Sequence, residues 1–107
     1  MIARTWSAIT SQEKEDSYLN TVRSVVLPHF DEAQGFKGSL FLKQSHDDGW
    51  KYMVITFWES PEAAYGLSGG DDPTVALIPD DIALTLNEYD KTVEYYETVI
   101  EHGVQFQ

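Results

Sequence analysis

Trp50 to Leu67 reads WKYMVITFWESPEAAYGL, and its two halves cannot be the same kind of structure. Trp50 to Trp58 is almost continuously apolar, rich in aromatic and β-branched residues. A strand with one wet face would alternate. Here Tyr52, Val54, Thr56 and Trp58 point one way and Met53, Ile55 and Phe57 the other, so both faces are expected to be covered. The run stops at Glu59-Ser60-Pro61-Glu62-Ala63. Ser60 is a good N-cap, Pro61 suits the first helical position, and Glu62 puts negative charge in the first turn. A doubly covered strand entering a capped helix over Pro61–Leu67 is the piece around which the rest must assemble.

Upstream, His46-Asp47-Asp48-Gly49 is short, polar and ends in glycine, which predicts a hairpin turn. It joins the Trp50 strand to one over Phe36–Ser45, with Leu40 and Leu42 on one side and Phe41 on the other. Met1 to Ile9 reads as a first strand, with Ile2, Arg4, Trp6 and Ala8 sharing a face. Thr10 followed by Glu13 has the spacing of a capping box and predicts a helix start. The positions Tyr18, Val22, Val25, Val26, His29, Phe30 and Ala33 then form one helical stripe. Pro28 inside that stripe removes a backbone hydrogen bond and should kink or end the regular helix, and Gly35 is its natural stop.

Downstream, Ser68 to Pro73 is a loop by composition. Asp72 and Asp80 are expected to cap short helical segments, the second running to about Leu86. Lys91–Ile100 is expected to be the last strand, and the tail from Glu101 to Gln107 has no clear period. The order is strand, helix, strand, strand, helix, short helices, strand. That is an α+β chain with a ferredoxin-like βαββαβ antiparallel sheet and helices on one face. The other face is expected to carry Trp6, Met53, Ile55 and Phe57 with Leu40 and Leu42, or the opposite set if the register is inverted. An apolar sheet face left uncovered marks an interface, so a homodimer packed sheet to sheet is expected.

The 107 residues form one domain, 1–107, and the formal charge is −11. That charge argues against nucleic acid and anionic membranes as partners, because phosphate contacts need clustered Lys and Arg. The chain has no cysteine, which removes disulfides, thiolate metal sites and cysteine nucleophiles. The start, MIARTWSA, lacks the basic region and apolar run of a signal peptide, so the cytoplasm is the expected location. His46, Asp47 and Asp48 resemble a metal cluster on paper, but neighbours in a tight turn rarely converge on one ion, and no metal site is expected.

MIARTW, the helix interrupted at VVLPHF, GFKGSLFL, ITFWESPEAAYGL, DDPTVALIP and TVEYYETV together resemble the antibiotic biosynthesis monooxygenase family of dimeric α+β barrels. The resemblance spans essentially the whole chain and is most specific at the turn from Trp58 to Ala63. It implies a dimeric barrel, a pocket between sheet and helices, and oxidation of an aromatic small molecule without a cofactor. Trp58 matches a strand-end Trp of the quinone-forming branch, and Tyr65 lies close to a Tyr on its next helix. Val54, however, stands where that branch has an Asn that helps to position substrate. The haem-degrading branch uses an Asn on the first strand, a Trp on the helix after the third strand and a His just beyond. This chain has no Asn between Ile2 and Ile9, Leu67 about where the Trp should be, and no His between Asp47 and Glu101.

Cofactor-independent oxygenation needs a bound aromatic ring, an orientation and a base. His29, on the inward stripe beside Phe30, is the candidate base, since an imidazole ordinarily titrates near ~6.5. Phe30, Trp58 and Tyr65 are the candidate substrate-binding residues. Three have a plainer reading: a core or helix-end histidine for His29, core packing for Trp58, a surface position for Tyr65. If Arg4 faces a dimer interior it needs an acidic partner, with Glu94 or Glu97 of the last strand available. The alternative to an enzyme is a non-catalytic small-molecule-binding or stress-related dimeric barrel.

Overall fold

The computed structural model describes residues 1–67 and 72–105. Strands β1 (Ile2–Ser11), β2 (Phe36–His46), β3 (Gly49–Trp58), β4 (Glu88–Tyr89) and β5 (Glu94–Glu97) form one antiparallel sheet. The order is β2-β3-β1-β4, and β5 joins β1 further along the edge that β4 uses. Helices α1 (Glu15–Thr21), α2 (Leu27–Glu32), α3 (Pro61–Tyr65) and α4 (Asp80–Ala83) complete the described elements, with a π-helical turn at Val22–Val26. This is the βαββαβ layout expected from the sequence. The loop residues Ser68 to Asp71, and the tail residues Phe106 and Gln107, lie outside the described residues.

β3 runs down the middle of this arrangement, flanked along its length by β1 and β2. Tyr52, Val54, Thr56 and Trp58 are buried on the helix side, and Trp58 retains 1% of its surface. On β2, Phe41 shares that side by pairing with Val54. Trp6 also pairs with Val54, which corrects the expectation that Trp6 belongs to the uncovered face. One fully paired register decides it, because a shift of one residue would turn every side chain over. The uncovered face carries Leu40, Leu42, Met53 and Ile55, with Phe57 pointing to the same side. The core is built from Trp6, Ala8, Tyr18, Val22, Tyr52, Val54, Ile82, Leu86 and Val93, each large apolar member contributing about 1.5–3 kcal/mol by leaving water.

The first helix does not start at Thr10. β1 continues to Ser11, opposite Gly49, so Thr10 is in a strand and fully buried. Its hydroxyl donates to the Thr85 carbonyl at 2.8 Å instead of capping a helix. Sheet pairing outcompetes the local capping pattern there. Asn87 secures the same strand end from outside: its backbone N–H donates to the Ile9 carbonyl at 2.8 Å, and its side-chain oxygen accepts from the Ser11 N–H at 2.9 Å. Glu15, at the start of α1, accepts from the Tyr52 hydroxyl and from Lys43 at 2.9 Å. Those bonds, Tyr52's first, hold its carboxyl below the ordinary value.

Pro28 neither ends nor breaks the helix. The Leu27 N–H reaches back five residues to the Val22 carbonyl, a π-type bond. Widening the turn gives the proline ring room against the carbonyl four residues before it, that of Ser24, which a regular helix would not provide. α2 then continues to Glu32, and Gly35 follows at φ 83, a left-handed conformation that favours glycine. At the hairpin, Asp47 takes φ 48, within the expected turn. Ser60 caps α3 as predicted, its hydroxyl accepting from the Ala63 N–H at 3.2 Å. Asp72 and Asp80 behave differently. The Asp72 carboxylate folds onto Thr74 in a local turn, and Asp80 is the first residue of α4, after Pro79.

The expected strand from Lys91 is shortened because its first residues are engaged elsewhere. Thr92 bridges to Val75, and the Ala76 N–H donates to the Lys91 carbonyl at 2.9 Å. Pairing with β1 therefore lapses between β4 and β5, where the Trp6 indole N–H donates to the Asp90 carbonyl at 2.8 Å.

Gly49 is the tightest point of the frame. A Cβ there would lie 2.3 Å from the Thr10 carbonyl oxygen and 2.9 Å from Ser11 Cα. Both are backbone atoms of a strand paired on two sides, so they cannot move cheaply. Gly49→Ala is expected to destabilise the fold by about 1–3 kcal/mol, read as a lower urea midpoint with an unchanged slope.

Candidate active site

A cavity of about 540 Å³ opens between the sheet and the helical layer. Arg4, Trp6, Phe41 and Val54 form its floor on the sheet. The π-helical turn and α2 supply the roof through Val22, Val25, Val26, His29 and Phe30, and Leu67, Ile78 and Ile82 close the sides. The π turn matters here because it sets which valines point down onto the sheet. A volume in the range of ordinary small-molecule sites, with an apolar lining and few polar groups, suits an aromatic ligand. Val25 and Leu77, both strongly exposed, also lie along the lining.

The titratable groups on this lining are unequal. Arg4 is buried, with 8% of its surface exposed, whereas His29 and Glu32 are exposed. Burial pulls the Arg4 guanidinium below its ordinary value, and a hydrogen bond with the Tyr95 hydroxyl works in the opposite sense. Burial pushes the Tyr18 hydroxyl above its usual range, so Tyr18 meets the cavity as a neutral phenol. Its ring packs on Tyr52 at 5.0 Å.

His29 and Phe30 both line this cavity. Phe30 is buried and stacks toward Phe36 at 5.4 Å. Trp58 lines an adjoining cavity of about 460 Å³ with Glu59, Ser60 and Ala63, and His29 and Leu67 border both spaces. The Trp58 indole N–H donates to the Thr56 hydroxyl at 2.8 Å. Tyr65 borders neither cavity and is 42% exposed. Its ring meets Tyr95 edge to face at 5.0 Å, which puts it behind the tyrosine that touches Arg4.

Arg4 is the member of this site that was not among the candidate residues, its acidic partner being expected only for a place in a dimer interior. It shares the helix side with Trp6, and its cross-strand partner is Tyr95. Glu94 pairs with Thr5 on the opposite face, and no ion pair joins Arg4 to Glu97 among the described residues. Strand periodicity linked Arg4 to Trp6, so assigning Trp6 to the helix side would have carried Arg4 into the cavity. Among the described residues no group of three or more His, Asp or Glu side chains is placed to hold a metal ion. No described helix is long and apolar enough to cross a membrane.

No family model matches the chain, and no curated protein is similar to it in sequence. Solved structures do match it along nearly its whole length. A candidate antibiotic biosynthesis monooxygenase from Bordetella bronchiseptica superposes with a TM-score of 0.65 at 15% identity, covering 92% of this chain and 97% of its own. A candidate antibiotic biosynthesis monooxygenase from Bacillus cereus gives 0.58 at 16%, covering 99% and 98%. A mutant of MhuD with two manganese protoporphyrin IX molecules bound per active site gives 0.56 at 19%, covering 97% and 100%. At these identities the likeness establishes architecture: this chain has the α+β fold of the antibiotic biosynthesis monooxygenase-type structures.

Proposed function

We propose that the chain is a member of the antibiotic biosynthesis monooxygenase family, a cytoplasmic homodimer that oxidises an aromatic small molecule without a resident cofactor. The observation that carries this reading is the apolar cavity of about 540 Å³ with one exposed imidazole, His29, on its lining. A ring held between Trp6 and Phe30 would present an acidic C–H to His29. Loss of that proton gives a carbanion that reduces dioxygen and combines with it. The resulting hydroperoxide loses water to leave a carbonyl, so one oxygen atom stays on carbon and the other leaves in water. His29 is the base in this scheme, Phe30 a ring contact and Trp58 the wall of the adjoining space, while Tyr65 supports Tyr95 from behind.

A porphyrin is not part of the scheme. Leu67 stands on the wall where the resemblance places a tryptophan, and no histidine follows it before His102 in the place of that branch's iron ligand. Val54 on the cavity floor favours a second reading, a binder without turnover, because it offers no hydrogen bond at the position of the quinone-forming branch's asparagine.

Oxygen uptake with an anthrone or a naphthalene-diol substrate separates the two. The enzyme reading expects uptake above the buffer rate and a fall of about 100-fold or more in His29→Ala. Unfolding of that variant should be unchanged, because His29 is exposed. Tight binding with no uptake by the wild-type protein would establish the second reading.

A further inference from the structure

Arg4 is a cation in an apolar cavity with no carboxylate against it among the described residues. Its Nε is buried and has no hydrogen-bond partner. Its polar neighbour is the Tyr95 hydroxyl, which already donates to the Pro73 carbonyl at 2.6 Å. No carboxylate forms an ion pair with Arg4 among the described residues, in a chain with 18 acidic and 7 basic side chains. A buried guanidinium stays charged, and burying it unpaired works against folding. A solubilising or structural arginine would be exposed or paired. A missing anion accounts for the arrangement, and the cavity that Arg4 lines has room for one.

We infer that the ligand of this cavity is an aromatic molecule carrying a planar, delocalised oxyanion, held by Arg4 with its ring against Trp6 and Phe30. This rests on the cavity being the ligand site and adds the chemical class of what enters. A carboxylate and an ionised phenol or enol share the chemistry a guanidinium reads, two or more donors converging on delocalised negative charge. Arg4 on the sheet floor and His29 on the helical roof then fix which way round the ring lies.

The test uses three probes on the intact protein, followed by calorimetry: naphthalene-2-carboxylate, the neutral naphthalene-2-carboxamide, and 4-nitro-1-naphthol, which is ionised at neutral pH. Wild-type protein should bind at least one anion about tenfold or more tighter than the amide, and the tighter anion identifies the oxyanion type. In Arg4→Met that preference should vanish while amide binding persists. Unliganded Arg4→Met should melt no lower than wild type, because removing a buried charge that has no carboxylate partner among the described residues offsets the lost Tyr95 hydrogen bond. Equal binding of anions and amide by wild type overturns the inference and leaves the cavity an aromatic site. Binding of none of the three overturns the cavity reading as well. An anion preference that survives in Arg4→Met, or a variant that melts well below wild type or fails to fold, shows Arg4 to be structural and overturns the inference.

Discussion

Trp58→Ala is expected to lower the unfolding free energy by about 3–5 kcal/mol, enough to remove a large share of the ~5–15 kcal/mol available to a domain of this size. Trp58 is among the largest fully buried side chains, at 1% exposure. It closes the end of β3 where the strand hands over to α3, and it meets Phe36 edge to face at 5.4 Å. Truncation removes the ring, opens a cavity next to an existing one, and leaves the Thr56 hydroxyl without its indole donor. At roughly 4–8 °C per kcal/mol for a small domain, the melting temperature should fall by more than ~12 °C. Trp58→Phe keeps most of the packing and loses the hydrogen bond, so its fall should be a minor part of that. Circular dichroism on both variants reads the difference. A Trp58→Ala melt within a few degrees of wild type would mean that the indole is a replaceable cavity wall and not part of the frame.

The second large effect concerns the uncovered sheet face. Leu40, Leu42 and Met53 are 46%, 48% and 41% exposed in the single chain. They are adjacent across β2 and β3, Leu42 opposite Met53 and Leu40 opposite Ile55. Contiguous apolar surface of this kind on a sheet is what a second copy would cover. Met53→Asp places a carboxylate in the middle of that contact in both copies, and its desolvation outweighs what Lys51, two residues along the same face, can offset. An uncompensated charge in an interface costs at least about 3 kcal/mol, so dissociation should rise by more than ~100-fold. Wild-type protein at micromolar concentration should sediment at twice the 12.2 kDa chain mass, and Met53→Asp at the chain mass with an unchanged circular dichroism spectrum. The helix-side core, which Met53 does not touch, supports that spectrum. A wild-type protein sedimenting as a single chain would refute the sheet-to-sheet dimer.

The fold was legible where local and long-range preferences agree. Trp50–Leu67 shows this best: its alternation sorts the two faces of β3, and Ser60-Pro61 starts α3 at the predicted residue. Two misreadings share a cause, competition between local chemistry and sheet pairing. Thr10 has a cap's neighbours, but β1 gains more from pairing with β3 down to Gly49. Lys91 to Val93 has a strand's composition, but it pairs with the segment around Val75 and Ala76. Pro28 announced an irregular helix without saying whether it would kink or widen, because that depends on what the next turn packs against.

Half of the candidate site was readable from the helical stripe. His29 and Phe30 both line the cavity, Phe30 buried and His29 at its exposed border. Trp58 and Tyr65 were chosen by resemblance to a strand-end Trp and a helix Tyr of the quinone-forming branch, and a matched position does not specify which space a side chain reaches. Arg4 needed the register of β1 against β3, a long-range fact with no local signal beyond its period-two relation to Trp6.

The cavity between the sheet and the π-interrupted helix is the proposed seat of the aromatic ligand. A crystal structure grown with naphthalene-2-carboxylate tests it directly. The ring is expected between Trp6 and Phe30, with the carboxylate on the Arg4 guanidinium and the ring in reach of the His29 imidazole. An empty cavity at saturating ligand, or a ring bound elsewhere on the chain, would contradict it.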